Sequence, residues 1–422
     1  MSRRVVITGI GVVAPGGVGT PAYWQRLLSG RSATRTITAF DPSGFRSRMA
    51  AECDFDPTAY GLTPQEIRRM DRTAQFAVVC TAECVADAGL AGGEVPATRV
   101  GVTVGSAVGA TIKLESEYVV LSDGGRRWEV DPGYAVPHLY DYLVPSSLAA
   151  EVAWKVGAEG PVSVVSDGCT AGIDALGYAA QVIRCGDADV MIAGGTEAPI
   201  APITVACFDA IKATSVHNDD PEHAHRPYDV SRNGFVLGEG AAMLVLEEYE
   251  HARRRGARVY AEIAGVATRA NAFHMTGLQA EGREMAEAIR VALDQARIGA
   301  DRVDWVSMHG TGTKQNDRHE TSAIKRSLGP HAYRTPASSI KSMIGHSLGA
   351  VGALETAACA LAITHGAVPP TANLHRQDPE LDLDYVPLQA REHRVDVALN
   401  VGSGFGGFQS AMVLCRPEAV SR

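Results

Sequence analysis

The sequence has no C-x-x-C pair and no evenly spaced cysteine ladder; its eight cysteines stand scattered at 53, 80, 84, 169, 185, 207, 359 and 415. That excludes a disulfide frame and reads as reduced thiols of a cytoplasmic protein, most of them small core residues. Lysine is scarce, six among 39 basic residues, and the formal net charge is −9 with a pI near 5.8. A nucleic-acid partner needs a basic face, so that class is excluded, although one local basic patch for an acidic carrier protein is not. No apolar run approaches the roughly 20 residues of a membrane span, and no membrane association is expected. Met1-Ser-Arg-Arg followed by Val5-Val-Ile-Thr-Gly superficially resembles a signal peptide. Gly9, Gly11 and Pro15-Gly-Gly break the apolar run and no cleavage site follows, so a buried strand is the expectation there.

What is present is core material. At 45% apolar and 21% charged residues, 422 residues can hold two or three average domains or one large α/β unit. Short β-branched runs ending in glycine turns alternate with Ala-rich helical stretches, the pattern of an α/β protein with a buried sheet. Strands are expected at 4–8, 99–104, 162–166, 189–193, 241–246, 259–266, 304–308, 337–341 and 397–402. Helices are expected at 22–29, 73–89, 170–184, 281–297, 318–327 and 347–365. Two segments with little regular pattern, about 107–160 and 203–236, are expected to cap a site.

A degenerate repeat organises these elements. Strand 99–104 ends in Gly105-Ser-Ala-Val-Gly, and strand 304–308 in His309-Gly-Thr-Gly-Thr. Asp167-Gly-Cys-Thr-Ala-Gly leads into Ile173-Asp-Ala-Leu, as Gly345-His-Ser-Leu-Gly-Ala leads into Val351-Gly-Ala-Leu. Val190-Met-Ile-Ala-Gly-Gly-Thr is matched with Leu399-Asn-Val-Gly-Ser-Gly-Phe-Gly-Gly. Three units in one order imply two similar halves, 1–255 and 256–422, whose helix starts near 169 and 347 share one site.

Cys169 occupies a sharp strand-to-helix turn flanked by Gly168 and Gly172. A thiol at a helix N-terminus has its thiolate favoured by the macrodipole and by free N–H groups. An isolated cysteine is more often a small core residue; this setting reverses that reading, and the other seven lack it. His309 follows a strand and His346 opens a helix; either alone is commonly structural, but at repeat-related places they can converge on one sulfur. Two imidazole N–H donors aimed at one oxygen suit an enolate. Lys341 is a fixed positive charge nearby, in a chain with few lysines, and Glu355 on the next helix is placed to pair with it. Gly402-Ser-Gly-Phe-Gly-Gly reads equally as a tight hairpin or as a backbone-donor turn giving Phe405 N–H to an oxyanion hole, with the Phe405 ring as a gate over the thiol.

The set Cys169, His309-Gly-Thr-Gly-Thr, Lys341, Gly345-His and Gly404-Phe-Gly-Gly resembles the β-ketoacyl synthases of the thiolase superfamily. Val205-Ala-Cys-Phe-Asp-Ala-Ile-Lys-Ala-Thr, Asn218-Asp-Asp-Pro-Glu-His-Ala, Asn271-Ala-Phe-His-Met-Thr-Gly, Gln315-Asn-Asp-Arg-His-Glu-Thr and Gly406-Gly-Phe-Gln-Ser-Ala narrow it to the α-type ketosynthase of bacterial type II aromatic polyketide synthases. The resemblance implies an α/β thiolase fold of two pseudo-symmetric halves layered α-β-α-β-α. It implies an acyltransferase performing decarboxylative Claisen condensation, with Cys169 as nucleophile, His309 and His346 stabilising the enolate, and Lys341 and Glu355 as a supporting pair. Thr311 and Thr313 match positions that contact the phosphopantetheine arm of an acyl carrier protein. No metal or other cofactor is implied, and the implied partner is a homologous chain length factor in a heterodimer. Asp167 departs from the pattern, which has Thr there; pointing inward, its carboxylate would oppose thiolate formation.

Rival readings are specific. Gly9-Ile-Gly11-Val-Val-Ala14 matches a dinucleotide fingerprint, but Pro15-Gly-Gly blocks the helix a pyrophosphate needs. His223-Ala-His225 lacks a third metal ligand. Gly345-His-Ser347-Leu-Gly349 is a G-x-S-x-G elbow, which would make Ser347 the nucleophile of an acyl hydrolase. A fatty-acid elongation ketosynthase and a non-catalytic partner subunit are the remaining alternatives. Fatty-acid enzymes usually carry Thr-Asn where this chain has Phe408-Gln409.

Overall fold

The structure is a computed structural model and describes residues 3–90, 95–127 and 129–419. Met1 and Ser2, at the head of the stretch compared with a signal peptide, and Trp128, within 107–160, lie outside the described residues. Ten strands build the main sheet, numbered here in chain order. They are β1 (Val5–Ala14), β2 (Val100–Gly105), β3 (Val162–Val165), β4 (Val190–Glu197) and β5 (Gly240–Glu248). The other five are β6 (Ala261–Ala270), β7 (Trp305–Ser307), β8 (Ala337–Ser338), β9 (Val397–Gly404) and β10 (Phe408–Cys415). The two-residue strand Gly17–Val18 folds back on β1.

The spatial order is β8-β7-β9-β10-β6-β1-β5-β4-β2-β3. Outward from the centre, the first half reads 1-5-4-2-3 and the second 6-10-9-7-8, so adding five converts one into the other. In each half the two inner pairings are antiparallel and the two outer ones parallel. The halves meet through two residue pairs, Val6↔Glu262 and Ile7↔Ala261. Even the irregularities repeat, since β1 slips register between Ile7 and Gly9 and β6 between Ile263 and Gly265.

Those two glycines explain how the outer helices pack. A Cβ on Gly9 would sit 2.1 Å from the Cys84 carbonyl oxygen of α1 (Arg72–Asp87). One on Gly265 would sit 2.0 Å from the Ala292 oxygen in the helix Arg283–Ala296. The apparent dinucleotide fingerprint is therefore a close-packing device on a buried strand. Two more helices, α2 (Ala171–Cys185) and α3 (Val351–His365), fill the layer between the halves. They cross at Gly172 and Gly352: a Cβ on the first would lie 2.7 Å from Ala353 N, and on the second 2.6 Å from Ile173 Cγ1. The stack is helix, half-sheet, helix pair, half-sheet, helix, the two half-sheets joined where β1 pairs with β6. Leu348–His365, preceding and including α3, is long and apolar enough to cross a membrane by length and composition, which the sequence reading passed over. It is 89% buried inside the protein, the burial of a core helix.

Other expectations need correction. The 107–160 segment is not irregular: it holds helices Thr111–Leu121, Leu139–Leu143 and Ser147–Val156. Strand β10 was not anticipated, because the glycine turn before it masked a pairing with both β9 and β6. The strand expected over 337–341 is only Ala337–Ser338, and Lys341 starts a single helical turn, Lys341–Ile344. The repeat register also shifts. Strands β4 and β9 each have eight residues and occupy equivalent places, so Val190 corresponds to Val397 and not to Leu399.

Candidate active site

Cys169 lies in the 3₁₀ turn Gly168–Thr170 that leads into α2, with Gly168 in the left-handed region at φ 67°. Its sulfur faces a cavity of about 600 Å³ also lined by His309, His346, Phe405, Thr311 and Thr313. Segment 203–236 contributes Phe208, Lys212 and Phe235 to this lining, and 107–160 contributes none of it among the described residues. Burial pushes the thiol up to about 12; the Lys341 ammonium and the Phe405 N–H oppose that rise, while Glu197 and Glu355 add to it. The helix start thus does not leave a standing thiolate, and the resting nucleophile is protonated at neutral pH.

Phe405 sits in the turn between β9 and β10, where Gly404 pairs with Phe408. That turn is a tight hairpin and also a donor: the Phe405 N–H points at the Cys169 sulfur. Gly404 permits the approach, since a Cβ there would lie 3.3 Å from Cys169 N. Two backbone N–H groups, of Cys169 and Phe405, therefore flank the position an acyl oxygen would take. The Phe405 ring is 36% exposed and stands 6.4 Å from the Phe208 ring at the cavity.

His309 follows β7 and His346 follows the turn Lys341–Ile344, so both come from the second half. Their rings are 5.4 Å apart and nearly perpendicular at 86°. Burial first, and the Lys341 charge second, hold both imidazoles well below their usual pKa, so both are neutral. Each Nδ1 is buried without a hydrogen-bond partner among the described residues. A proton there would be a stranded donor, so the tautomer with the proton on Nε2 is favoured, and that N–H is the one available to the cavity. Lys341 is wholly buried and paired with Glu355 Oε1. Burial lifts the Glu355 carboxyl to about 7 even beside that ammonium, and its Oε2 has no partner.

Thr311 and Thr313 share a hydroxyl hydrogen bond of 2.9 Å, and Thr313 caps the helix Lys314–Leu328 by accepting from Asn316 N. His225, weighed above as a metal ligand, instead donates from Nε2 to the Thr311 carbonyl at 3.0 Å, and His223 pairs with Asp220. Among the described residues no three His, Cys, Asp or Glu side chains gather as a metal site. Ser347 is buried, unpartnered, and absent from the cavity lining. The elbow also fails because a helical turn, not a strand, precedes it. Among the described residues one Asp167 oxygen is buried without a hydrogen-bond partner, and the side chain is engaged elsewhere. It bonds to the Asp174 carboxyl, which burial and then Asp167 lift to about 8 and which accepts from Ser410 Oγ at 2.7 Å.

Two family models cover the chain, the β-ketoacyl synthase N-terminal domain over residues 2–252 and its C-terminal domain over residues 260–375. The chain belongs to the β-ketoacyl synthase family. This synthase is 64% identical over 418 residues to the granaticin polyketide putative β-ketoacyl synthase 1 of Streptomyces violaceoruber, covering 99% of both chains. It matches a ketosynthase solved in complex with its type II polyketide synthase acyl carrier protein and bound to the hexaketide. That match has a TM-score of 0.91 and 38% identity over 98% of this chain and 100% of the other. It matches the ishigamide ketosynthase/chain length factor with a TM-score of 0.90 and 35% identity, over 98% and 99% of the two chains. The synthase has the thiolase-like fold these relatives share.

Several residues that shape the site had no role assigned from the sequence, although Asp317 and Glu320 stand within the Gln315-Asn-Asp-Arg-His-Glu-Thr motif. Glu320 accepts from Gly310 N at 2.7 Å and from Tyr228 Oη at 2.9 Å, fixing the loop after His309. Asp317 and Arg232 form a buried ion pair of 3.1 Å beneath the same loop. Glu197, at the end of β4, holds the loop after β2. Glu197 alone carried a signal, a charge at the end of an apolar, glycine-rich strand; Asp317, Glu320 and Arg232 stand among other polar residues and carried none.

Proposed function

We propose that this synthase is the catalytic ketosynthase of a type II polyketide synthase, extending a Cys169-bound acyl chain with malonyl units carried on an acyl carrier protein. One observation carries the reading: a thiol from the first half and two neutral imidazoles from the second face the same cavity. In the loading step Cys169 Sγ attacks the carrier thioester, while the N–H groups of Cys169 and Phe405 take the negative oxygen. The proton Cys169 loses is the one the departing pantetheine thiolate gains, so a thiol resting near 12 needs no net help from solvent.

In the second step malonyl-carrier protein loses CO₂, and the bonding electrons pass into an enolate whose oxygen takes the Nε2–H donors of His309 and His346. The enolate carbon attacks the Cys169 thioester, the C–S bond breaks, and the sulfur recovers a proton from solvent. Neutral imidazoles suit this task, because they donate without adding a charge that would hold the malonyl carboxylate. Lys341 and Glu355 hold the floor of the site, and Thr311 and Thr313 line the approach of the pantetheine arm. The cycle uses no metal or nucleotide and runs in the cytoplasm.

A chain length factor is the proposed partner, as in the ishigamide relative. Supporting a partner here, Tyr118, Tyr140, Leu143 and Trp154 are exposed apolar residues on the 107–160 segment, and β3 ends the sheet with one edge free of a sheet neighbour. Cys169→Gln, tested in the complex, should abolish chain extension and keep or raise malonyl decarboxylation. Continued extension by that variant would overturn the reading. Thioester hydrolysis lost in Ser347→Ala and kept in Cys169→Gln would revive the hydrolase elbow.

A further inference from the structure

Glu197 is wholly buried, and no cation pairs with it among the described residues. It is held only by donors. Oε1 accepts from Ser106 Oγ at 2.7 Å and Val108 N at 3.2 Å; Oε2 accepts from Ala107 N at 2.6 Å and Gly349 N at 3.0 Å. Three of these donors belong to the loop after β2 in the first half. The fourth belongs to the second half, three residues past His346.

The internal symmetry says what this arrangement is. Glu197 closes β4 where Gly404 closes β9. Gly349 precedes the crossing glycine Gly352 by three residues, as Cys169 precedes Gly172. So Gly349 N–H is the counterpart of Cys169 N–H, and the carboxylate fills the place that corresponds to the thioester oxygen's. Leu348, counterpart of Gly168, carries a positive φ of 43°, a conformation that costs a non-glycine residue about 1 kcal/mol or more. Something must hold that turn. A side chain at 349 cannot, because its Cβ would lie 2.4 Å from Ala107 N and 2.7 Å from Glu197 Oε2.

We propose that Glu197 is a positioning residue: occupying the counterpart of the oxyanion site in the pseudo-symmetric repeat, it ties the His346 turn to the nucleophile-bearing half and so fixes where His346 meets the enolate. This rests on the function proposed above. Displacement of a donor by about 1 Å is enough to cost a large factor in rate, so the effect belongs in turnover rather than in substrate binding. Reach and charge are separable here. Aspartate keeps the charge but is one methylene too short to span both loops. Glutamine keeps the reach, and its amide can turn toward Ser106, whose hydroxyl can accept, leaving the carbonyl oxygen for Ala107 N and Gly349 N at the loss of the 3.2 Å bond from Val108 N.

The test uses the synthase with its partner subunit, malonyl-carrier protein, and iodoacetamide as a probe of Cys169. Glu197→Asp should lower kcat for decarboxylation about tenfold with KM unchanged, and leave the pH midpoint of alkylation where it was. Glu197→Gln should keep kcat within about threefold and move that midpoint down, because a negative neighbour of the thiol is gone. A merely structural glutamate would lower the melting temperature in both variants without separating these two readouts. The proposal fails if Glu197→Asp decarboxylates within about twofold of the parent. Should that variant not fold, Ser106→Ala decides: a fall of about threefold in kcat at constant KM supports the clamp, and an unchanged kcat overturns it. None of these variants touches Cys169, so the Cys169→Gln result stands or falls separately.

Discussion

Replacing Lys341 with methionine removes a charge from a position with no solvent exposure and leaves Glu355 without its only ion-pair partner among the described residues. Breaking a buried ion pair on one side costs about 3–5 kcal/mol, and here Glu355, lifted to about 7 by burial even beside the ammonium, must take up a proton once it is gone. Unfolding entropy of about 2.1 cal/mol/K per residue, over 422 residues, is roughly 0.9 kcal/mol/K, so the melting temperature should fall by about 3–6 °C. The same ammonium is the main charge opposing desolvation of Cys169, whose thiol already rests near 12. Without it the thiolate becomes rarer, tenfold for each further unit, and alkylation by iodoacetamide at pH 8 should slow accordingly. Lys341→Met combined with Glu355→Gln replaces the pair with uncharged groups of similar shape and should recover most of the stability. It should not recover the alkylation rate in full, since Lys341 acts on the thiol more strongly than Glu355 does. Calorimetry and timed alkylation on the three proteins suffice. A single variant melting within about 1 °C of the parent, or a double variant no more stable than the single, would refute the reasoning.

Two further outcomes concern Asp174 and Gly265. The Asp174 carboxyl is lifted to about 8 by burial and by Asp167, so its contribution to stability is full below its unfolded value near 3.8 and is lost as the pH rises toward 8. Asp167→Asn removes one cause of the lift; its urea midpoint should match the parent's at pH 4 and exceed it at pH 8, while Cys169 alkylation stays unchanged. Gly265→Ala would drive a methyl to 2.0 Å from the Ala292 oxygen, and its effect on the denaturation midpoint should exceed the 1–3 kcal/mol usual for overpacking, because backbone must move.

Cys169, His309, His346 and Phe405 were visible as candidates because each stands beside glycine at the end of an element, a signal confined to a few consecutive residues. The helix Thr111–Leu121 was not visible: only Leu121 in it is buried, so no apolar stripe marks a period. Strand β10 was hidden by its own turn. Asp167 was legible as an anomaly but not in its direction, since its partner Asp174 lies one helical turn into α2 and only the fold shows the two carboxyls meeting.

Glu197 was hidden for a different reason. The sequence repeat set Val190 opposite Leu399, two residues away from the Val397 that the strands impose. A strand has period two, so such a slip leaves every side chain on its expected face and violates no hydrophobic pattern. It does change which residue ends each strand. In the slipped register Gly195 matches Gly404, two glycines ending two equivalent strands, and nothing asks for explanation. In the true register an acid stands opposite Gly404, and the two halves part at one position: glycine lets the Phe405 turn approach a reactive thiol, whereas glutamate occupies the corresponding space with its own carboxylate. One half is open to an acyl oxygen at this point and the other holds the Glu197 carboxyl there, and the second half also has Gly349 where the first has Cys169, so a doubled fold presents a single nucleophile.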